Sequence, residues 1–282
     1  MDSPVSYRTI WLSDIHLGTR ASKAEKLLDF IRQNDSDYLY LVGDIVDGWA
    51  LRRHWHWPQL HNDVVQKLLR KARKGTRVVY VPGNHDEFAR QFVGLRFGGI
   101  DIARERVHKT ADGRRLLVLH GDRFDGIVGQ ARWLLHLGAV GYEIALQANR
   151  LVNFFRERRG KPYWSLSSYV KDKSKRAVQF IANFENAIAE EAGRYDVDGI
   201  VCGHIHKAEI RTINDVLYCN TGDWVESCTA LVEHHDGRLE SISWTDTKRI
   251  FRDPVAALSQ GDGHIGSSVG ISWVCHLRDE ED

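Results

Sequence analysis

A chain of 282 residues, with 39 lysines and arginines against 38 aspartates and glutamates, can bury one full core and carry an insertion. A net charge of +1 argues against a dedicated nucleic-acid binder, and no stretch reaches the ~18 apolar residues of a membrane span. The opening MDSPVSYRTIWLSD lacks the basic-then-apolar pattern of a secretory signal, so a cytoplasmic protein is expected. Attachment to the inner membrane surface stays open.

The first half alternates short apolar runs with helical segments. YRTIWLSD reads as a strand, followed by a helix over 23–34 with Leu27, Leu28 and Ile31 on its inner face. DYLYLVGD is a second strand, and LHNDVVQKLLRKARKG a helix ending in glycine. TRVVYVPGNHD, RRLLVLHGD and VDGIVCGHIH complete the set of apolar strands with polar ends. Such near-continuous apolar runs suit strands covered on both faces. Between the fourth and fifth lies a helical insertion over about 126–192. There Trp133, Leu137, Val140, Ile144, Ala148, Leu151 and Phe155 recur at steps of three and four, as do Ala177, Ile181, Phe184 and Ile188. After residue 206 the pattern becomes antiparallel, with hairpins turning at Asn214-Asp215 and Asp236-Gly237. The stretch 253–282 is Gly/Ser-rich, ends acidic and is expected to be poorly ordered apart from a short strand at ISWVCHL. Cys202, Cys219, Cys228 and Cys275 lie in or beside apolar runs without CxxC spacing, which predicts buried, reduced thiols.

The polar ends carry the chemistry. In order they read Asp14-x-His16, Gly43-Asp44, Gly83-Asn84-His85-Asp86, His120-Gly121-Asp122 and Gly203-His204-x-His206. Open α/β sheets bind ligands where strands stop and loops diverge, so five loaded strand ends can share one crevice. Were β-structure to continue through Asp14 and His16, both would point the same way. Two divalent ions ~3.5–4 Å apart need a bridging carboxylate and nitrogen or oxygen ligands on each side. Asp44 is the central carboxylate; Asp14, His16 and His206 can complete one ion, and Asn84, His120 and His204 the other. This mixed donor set suits Mn²⁺, Fe²⁺, Zn²⁺ or Co²⁺. His85, beside Asn84, is the candidate general acid.

The DxH, GD, GNH, HGD and GHxH blocks make this chain resemble the calcineurin-like metallophosphoesterases over about residues 9 to 225. The resemblance implies an α/β fold, a four-layer αββα sandwich with a helical cap insertion and the dinuclear site between the edges of its two sheets. The domain would span 1–252, with 253–282 as an extension. It also implies two divalent ions, manganese first among them, on the seven residues just named, with Asp44 and His85 as catalytic groups. Asp86 and Asp122 would orient their neighbours.

Within that superfamily the chain looks most like the UDP-2,3-diacylglucosamine pyrophosphohydrolase branch of lipid A synthesis, which carries a cap at this point. Such enzymes cleave a diphosphate to give UMP and a lipid sugar phosphate. Asn84, His85, Asp125, Ser168, Lys175, Arg176 and His204 are the substrate-contact candidates this implies. One departure stands out: GNHD replaces the usual Gly-Asn-Arg-Asp, whose arginine is expected to touch phosphate. The exact substrate therefore stays open. A phosphodiesterase, nuclease or phosphatase of the same fold is the alternative, and a non-catalytic scaffold a further one. A phosphoprotein phosphatase is disfavoured, because GDIVDGW lacks the Arg-Gly which that family has after its second aspartate.

Nine basic residues against two acidic ones between Arg150 and Arg176 give that segment a local charge of +7. It can meet anionic headgroups, funnel a phosphate-bearing lipid substrate, or simply be a solvated face. The run RRHWHWPQLH, with His54, His56 and His61, follows the Asp44 loop and is expected at the rim of the site as a packing or substrate-contact segment. The oligomeric state is not legible.

Overall fold

The computed structural model describes residues 4–125, 186–245 and 250–252. β1 (Val5–Leu12) leads through α1 (Ala24–Gln33) to β2 (Asn34–Val42), then through α2 (Gly48–Arg53) and α3 (Gln59–Arg73) to β3 (Arg77–Val81). A 3₁₀ turn over Glu87–Phe92 precedes three short strands, β4 (Arg96–Phe97), β5 (Ile100–Ile102) and β6 (Arg106–Lys109). β7 (Arg115–Val118), β8 (Gly199–Cys202), β9 (Glu209–Ile213), β10 (Val216–Asn220), β11 (Thr229–Glu233), β12 (Leu239–Ser243) and β13 (Ile250–Arg252) follow.

These strands make two sheets. The larger has the order β13-β12-β11-β1-β2-β3-β5-β4, and the smaller β6-β7-β8-β10-β9. β1, β2, β3 and β5 are parallel neighbours, while β11 joins β1 antiparallel. Successive residues of β1 show why the runs are apolar throughout. Ile10 and Leu12 pack outward with Leu27, Ile31, Val64 and Leu68 of α1 and α3. Trp11 points inward, to a core shared with Leu116, Val118, Val201 and Leu217 of the second sheet. A third layer of contacts covers the outer face of that sheet, where Ala187, Ile188 and Ala192 of a helix over 186–195 meet Leu117, Ile200 and Tyr218. Helix, sheet, sheet and helix thus stack as the four expected layers.

The Asn214-Asp215 hairpin has φ of 47° and 66° at its two central residues, the left-handed pair that a type I′ turn requires. β9 and β10 widen the smaller sheet, and β11 and β12 the larger. β4, β5 and β6 were not expected; at two to four residues each they carry no apolar run. Cys202, Cys219 and Cys228 are buried and unbridged. Among the described residues no helix is long and apolar enough to cross a membrane. The remainder of the expected cap, the 253–282 extension with its ISWVCHL strand, and Cys275 lie outside the described residues.

A buried ion cluster ties the two sheets together away from the polar strand ends. Glu233 on β11 is fully buried and accepts from Arg8 Nη1 (2.8 Å), Thr9 Oγ1 (2.6 Å), Ala111 N (2.7 Å) and His108 Nε2 (2.9 Å). His108 lies on β6, so this carboxylate joins the smaller sheet's edge to β1. Burial alone would raise the Glu233 carboxyl, but the bonds from His108, Thr9 and Ala111 N outweigh it and hold it below the ordinary glutamate range. A depressed folded pKa stabilises the fold above the unfolded value near 4.3 and loses that stabilisation as pH falls through the folded one. Glu233→Gln should therefore lower unfolding free energy by about 3 kcal/mol at pH 7 and flatten its decline below pH ~4.3. Urea melts between pH 3 and 7 measure both; parallel acid limbs in parent and variant would refute this account.

Candidate metal centre

The loops after β1, β2, β3, β7 and β8 meet at one end of the sandwich. β1 stops at Leu12, and strand alternation does not align Asp14 with His16, because both have φ of 50°. The loop instead zips onto the next, with Asp14 N donating to Gly43 O (3.0 Å) and His16 N to Asp44 O (2.9 Å). Asp44, His204 and His206 also have positive φ, between 52° and 71°. Left-handed backbone at a non-glycine residue costs about 1–2 kcal/mol, and five instances in one small volume mark a strained, functional region.

The side chains converge as two clusters, Asp14 with His16 and His206, and Asp44 with His120 and His204. Within each, the donor atoms lie within 4.8 Å of one another. Asp44 spans them, its Oδ1 being 3.4 Å from His120 Nε2 and its Oδ2 3.9 Å from His16 Nε2. Asp14 Oδ1 is 3.1 Å from His206 Nε2, and Asn84 Oδ1 is 3.2 Å from His120 Nε2. All seven expected residues are therefore together.

The chemistry of these donors fits cations. His120 Nδ1 donates to Val42 O (2.9 Å), which leaves Nε2 as the lone-pair nitrogen of the neutral ring. That nitrogen faces Asp44 Oδ1, Asn84 Oδ1 and His204 Nδ1 (3.2 Å), a ring of acceptors. His16 Nδ1 likewise donates to Asp47 Oδ2 (3.0 Å), and its Nε2 is buried with no hydrogen-bond partner among the described residues. Lone pairs gathered in this way, with the His85 backbone N–H on Asp44 Oδ1 at 2.9 Å, are stabilised by positive charge. The protonation equilibria show the same demand. Burial opposes a charged His120, yet its bond to Asp44 and the charges of Asp44 and Asp14 push it up to about 10. Burial also opposes an ionised Asp44, but His120 and His16 hold it well below the carboxylate range.

Glycines let the loops approach. A Cβ on Gly43 would fall on the His120 ring, and one on Gly83 would strike Asp44 Oδ1. Asp86 gathers the loops from behind, accepting from Gly83 N (2.5 Å), Ile45 N (2.7 Å) and Asp44 N (3.3 Å). Asp122 accepts from Arg90 Nη2 (2.5 Å). Both aspartates orient neighbours.

Asp47 is the residue the sequence analysis missed. Its Oδ2 accepts from His16 Nδ1 and from His85 Nδ1 (2.9 Å), while Oδ1 caps α2 through Ala50 N (2.7 Å). Burial would raise its carboxyl; the bonds from His16, His85 and Ala50 N hold it far below the ordinary range. The available signal was a second acid three residues after Asp44, just ahead of a short helix. A small basic hollow of about 150 Å³ beside His120, with Arg90, Arg104 and Arg123, was also missed. Arg123 is ion-paired with Glu105 and Glu191, whereas Arg104 has no ion-pair partner among the described residues.

Of the substrate-contact candidates, His85 stacks near Trp49 (centroids 4.2 Å apart) and Asp125 Oδ1 lies 2.6 Å from His204 Nε2. Ser168, Lys175 and Arg176 lie outside the described residues. His61 Nδ1 accepts from Gly18 N (3.1 Å) and its ring packs on Trp57, so His61 acts as a strut for the Asp14 loop. His54, His56 and His61 form no metal-ligating cluster among the described residues.

A family model described as "Calcineurin-like phosphoesterase" matches residues 7–208. The "UDP-2,3-diacylglucosamine hydrolase" of Xanthomonas campestris pv. campestris (strain ATCC 33913) is 28% identical over 254 residues, 83% of this chain and 99% of its own. The protein of that name from Blochmanniella pennsylvanica is 26% identical over 116 residues, 40% of this chain and 46% of its own. Among solved structures, the phosphoesterase Yfce from E. coli aligns over 86% of this chain and 98% of its own, at 17% identity and a TM-score of 0.43.

If Asp44 spans two ions, Asp44→Asn should lower bound metal from two equivalents to one or fewer and remove the rise in melting temperature that added Mn²⁺ gives the parent. Plasma mass spectrometry after dialysis, with thermal melts, reads both. Parent-like metal content in the variant would exclude a bridging role.

Proposed function

The chain belongs to the calcineurin-like phosphoesterases and is a metal-dependent hydrolase, and from that premise we propose that it cleaves the diphosphate of a UDP-linked, acylated sugar. The products would be UMP and a lipid sugar phosphate. The observation that carries this reading is the seven-residue cage in which Asp44 reaches toward both His16 and His120. The substrate class is supported by the resemblance to the Xanthomonas hydrolases along almost their whole length.

Asp14, His16, Asp44 and His206 would hold one ion, and Asp44, Asn84, His120 and His204 the other, with Mn²⁺ the expected metal. Such a pair supplies charge neutralisation at phosphate and acidifies water toward neutral pH. The protein's own groups do the rest. Asp47 fixes the His85 tautomer with the proton on Nδ1, so that Nε2 is the nitrogen that exchanges a proton with the leaving group. Asp125 steadies the His204 ring. Arg104, beside His120, offers a fork of donors to the phosphate that does not react. Release of a phosphate-type leaving group needs charge stabilisation more than protonation, and His85 serves either need. The basic segment Arg150–Arg176 would meet an anionic membrane surface on which the lipid substrate resides.

With Mn²⁺ and UDP-2,3-diacylglucosamine, UMP should appear at a rate that EDTA abolishes. Turnover of bis(p-nitrophenyl) phosphate without any UMP would instead assign a general phosphodiesterase. His85→Asn should lower kcat roughly 10²–10⁴-fold at saturating Mn²⁺. Arg104→Ala should raise KM about tenfold with kcat little changed. A fall in kcat alone would remove Arg104 from substrate binding.

A further inference from the structure

The larger sheet is wider than the smaller, and β6 is the edge at which the smaller one stops. The inner face of β2, β3 and β5 therefore continues past β6 as a ledge. A cleft of about 590 Å³ lies on it, with Tyr38, Tyr40 and Val79 on the larger sheet and Arg106 and Lys109 on β6 among its lining residues. That volume falls within the ~300–1,000 Å³ typical of small-molecule sites. The cleft runs from the far end of the strands, at Tyr38 and Lys109, toward the metal centre as far as Arg106, which pairs with Val118 two residues before His120. Tyr38 precedes Asp44 by six residues of chain, roughly 20 Å in an extended strand.

Its charge is one-sided. Arg8, Arg77, Arg106 and Lys109 line it, and Asp101 is the one carboxylate among its lining residues. Asp101 is engaged by Arg96 Nε at 3.3 Å, and Arg8 is matched by Glu233 at 2.8 Å. Arg77, Arg106 and Lys109 have no carboxylate partner among the described residues. Two of the guanidinium groups are also held in place. Arg8 and Arg77 each lie 5.4 Å from the centroid of the Tyr38 ring, and Arg77 Nη1 donates to the Tyr38 hydroxyl at 3.0 Å.

We propose that this ledge is a second ligand site, which takes a small phosphate-bearing anion of nucleotide size. Three uncompensated cations around one concavity demand a ligand with more than one negative charge. Phosphate oxygens match the donor fork of arginine in number and plane. The guanidinium groups over the Tyr38 ring offer a weakly hydrated surface to an organic ring.

The test is isothermal titration of the full chain in EDTA, so that the metal centre holds no cation, with ADP, inorganic pyrophosphate and adenosine as probes. ADP and pyrophosphate should bind one to one, and adenosine should give no saturable heat. The double substitution Arg106→Ala, Lys109→Ala should weaken ADP at least about tenfold. Both side chains are exposed, so melting and hydrolysis should stay at the parent's level. Lys109→Gln alone should weaken it about threefold. Asp14→Asn, at the distant centre, should leave ADP affinity within about twofold. Undiminished affinity in the double variant, loss of binding in Asp14→Asn, equal binding of adenosine, or no saturable binding at millimolar ADP would each overturn the proposal.

Discussion

Two carboxylates, Asp14 and Asp44, are buried at the seam of two sheets among imidazole rings, and the rest of the structure accommodates that fact. A buried carboxylate is tolerated only with compensating charge or donors. Here one backbone N–H serves each, His204 N to Asp14 Oδ2 and His85 N to Asp44 Oδ1, both at 2.9 Å, and positive charge must do the rest. His120 and His16 each turn one ring nitrogen to a carbonyl or carboxylate behind them, so that the other presents a lone pair to the centre. The left-handed backbone at Asp14, His16, Asp44, His204 and His206 is the conformational expense of aiming three of the five loops at one point. Loop-to-loop bonds and the Asp86 carboxylate keep those loops from relaxing.

Such strain persists only on a stiff frame. Adjacent residues of β1 enter different cores, Ile10 and Leu12 the outer one and Trp11 the inner, so neither face of the strand is free to slip in register. The Glu233 cluster fastens the sheets to one another at Arg8, Thr9 and His108, well before the strands reach the metal centre. Alignment of the two sheets there sets the spacing between Asp44 on one side and His120 and His204 on the other.

Much of this was legible in the sequence because both signals were strong. The central strands are continuous apolar runs ending in glycines and polar groups, so one crevice and its seven converging residues followed from order and spacing, while the four layers followed from the family resemblance. Asp14 and His16 converge for a different reason from strand alternation. Single-residue left-handed turns leave no apolar periodicity behind them, only an Asp or His where either conformation is tolerated. β4, β5 and β6 escaped notice because strands of two to four residues with one or two apolar positions resemble loop. Asp47 escaped because its work is done through two other side chains, and a helix cap is explanation enough for an aspartate before Gly48.

The Asp47 carboxylate has a wider consequence. One oxygen serves both the imidazole that faces the cage and the imidazole that would face the leaving group, so fastening and turnover draw on a common anchor. Replacing the residue at position 85, the obvious route to a new substrate preference, also releases half of that anchor and lets His16 draw it closer. In this scaffold, selectivity and metal retention are expected to drift together rather than as separate traits.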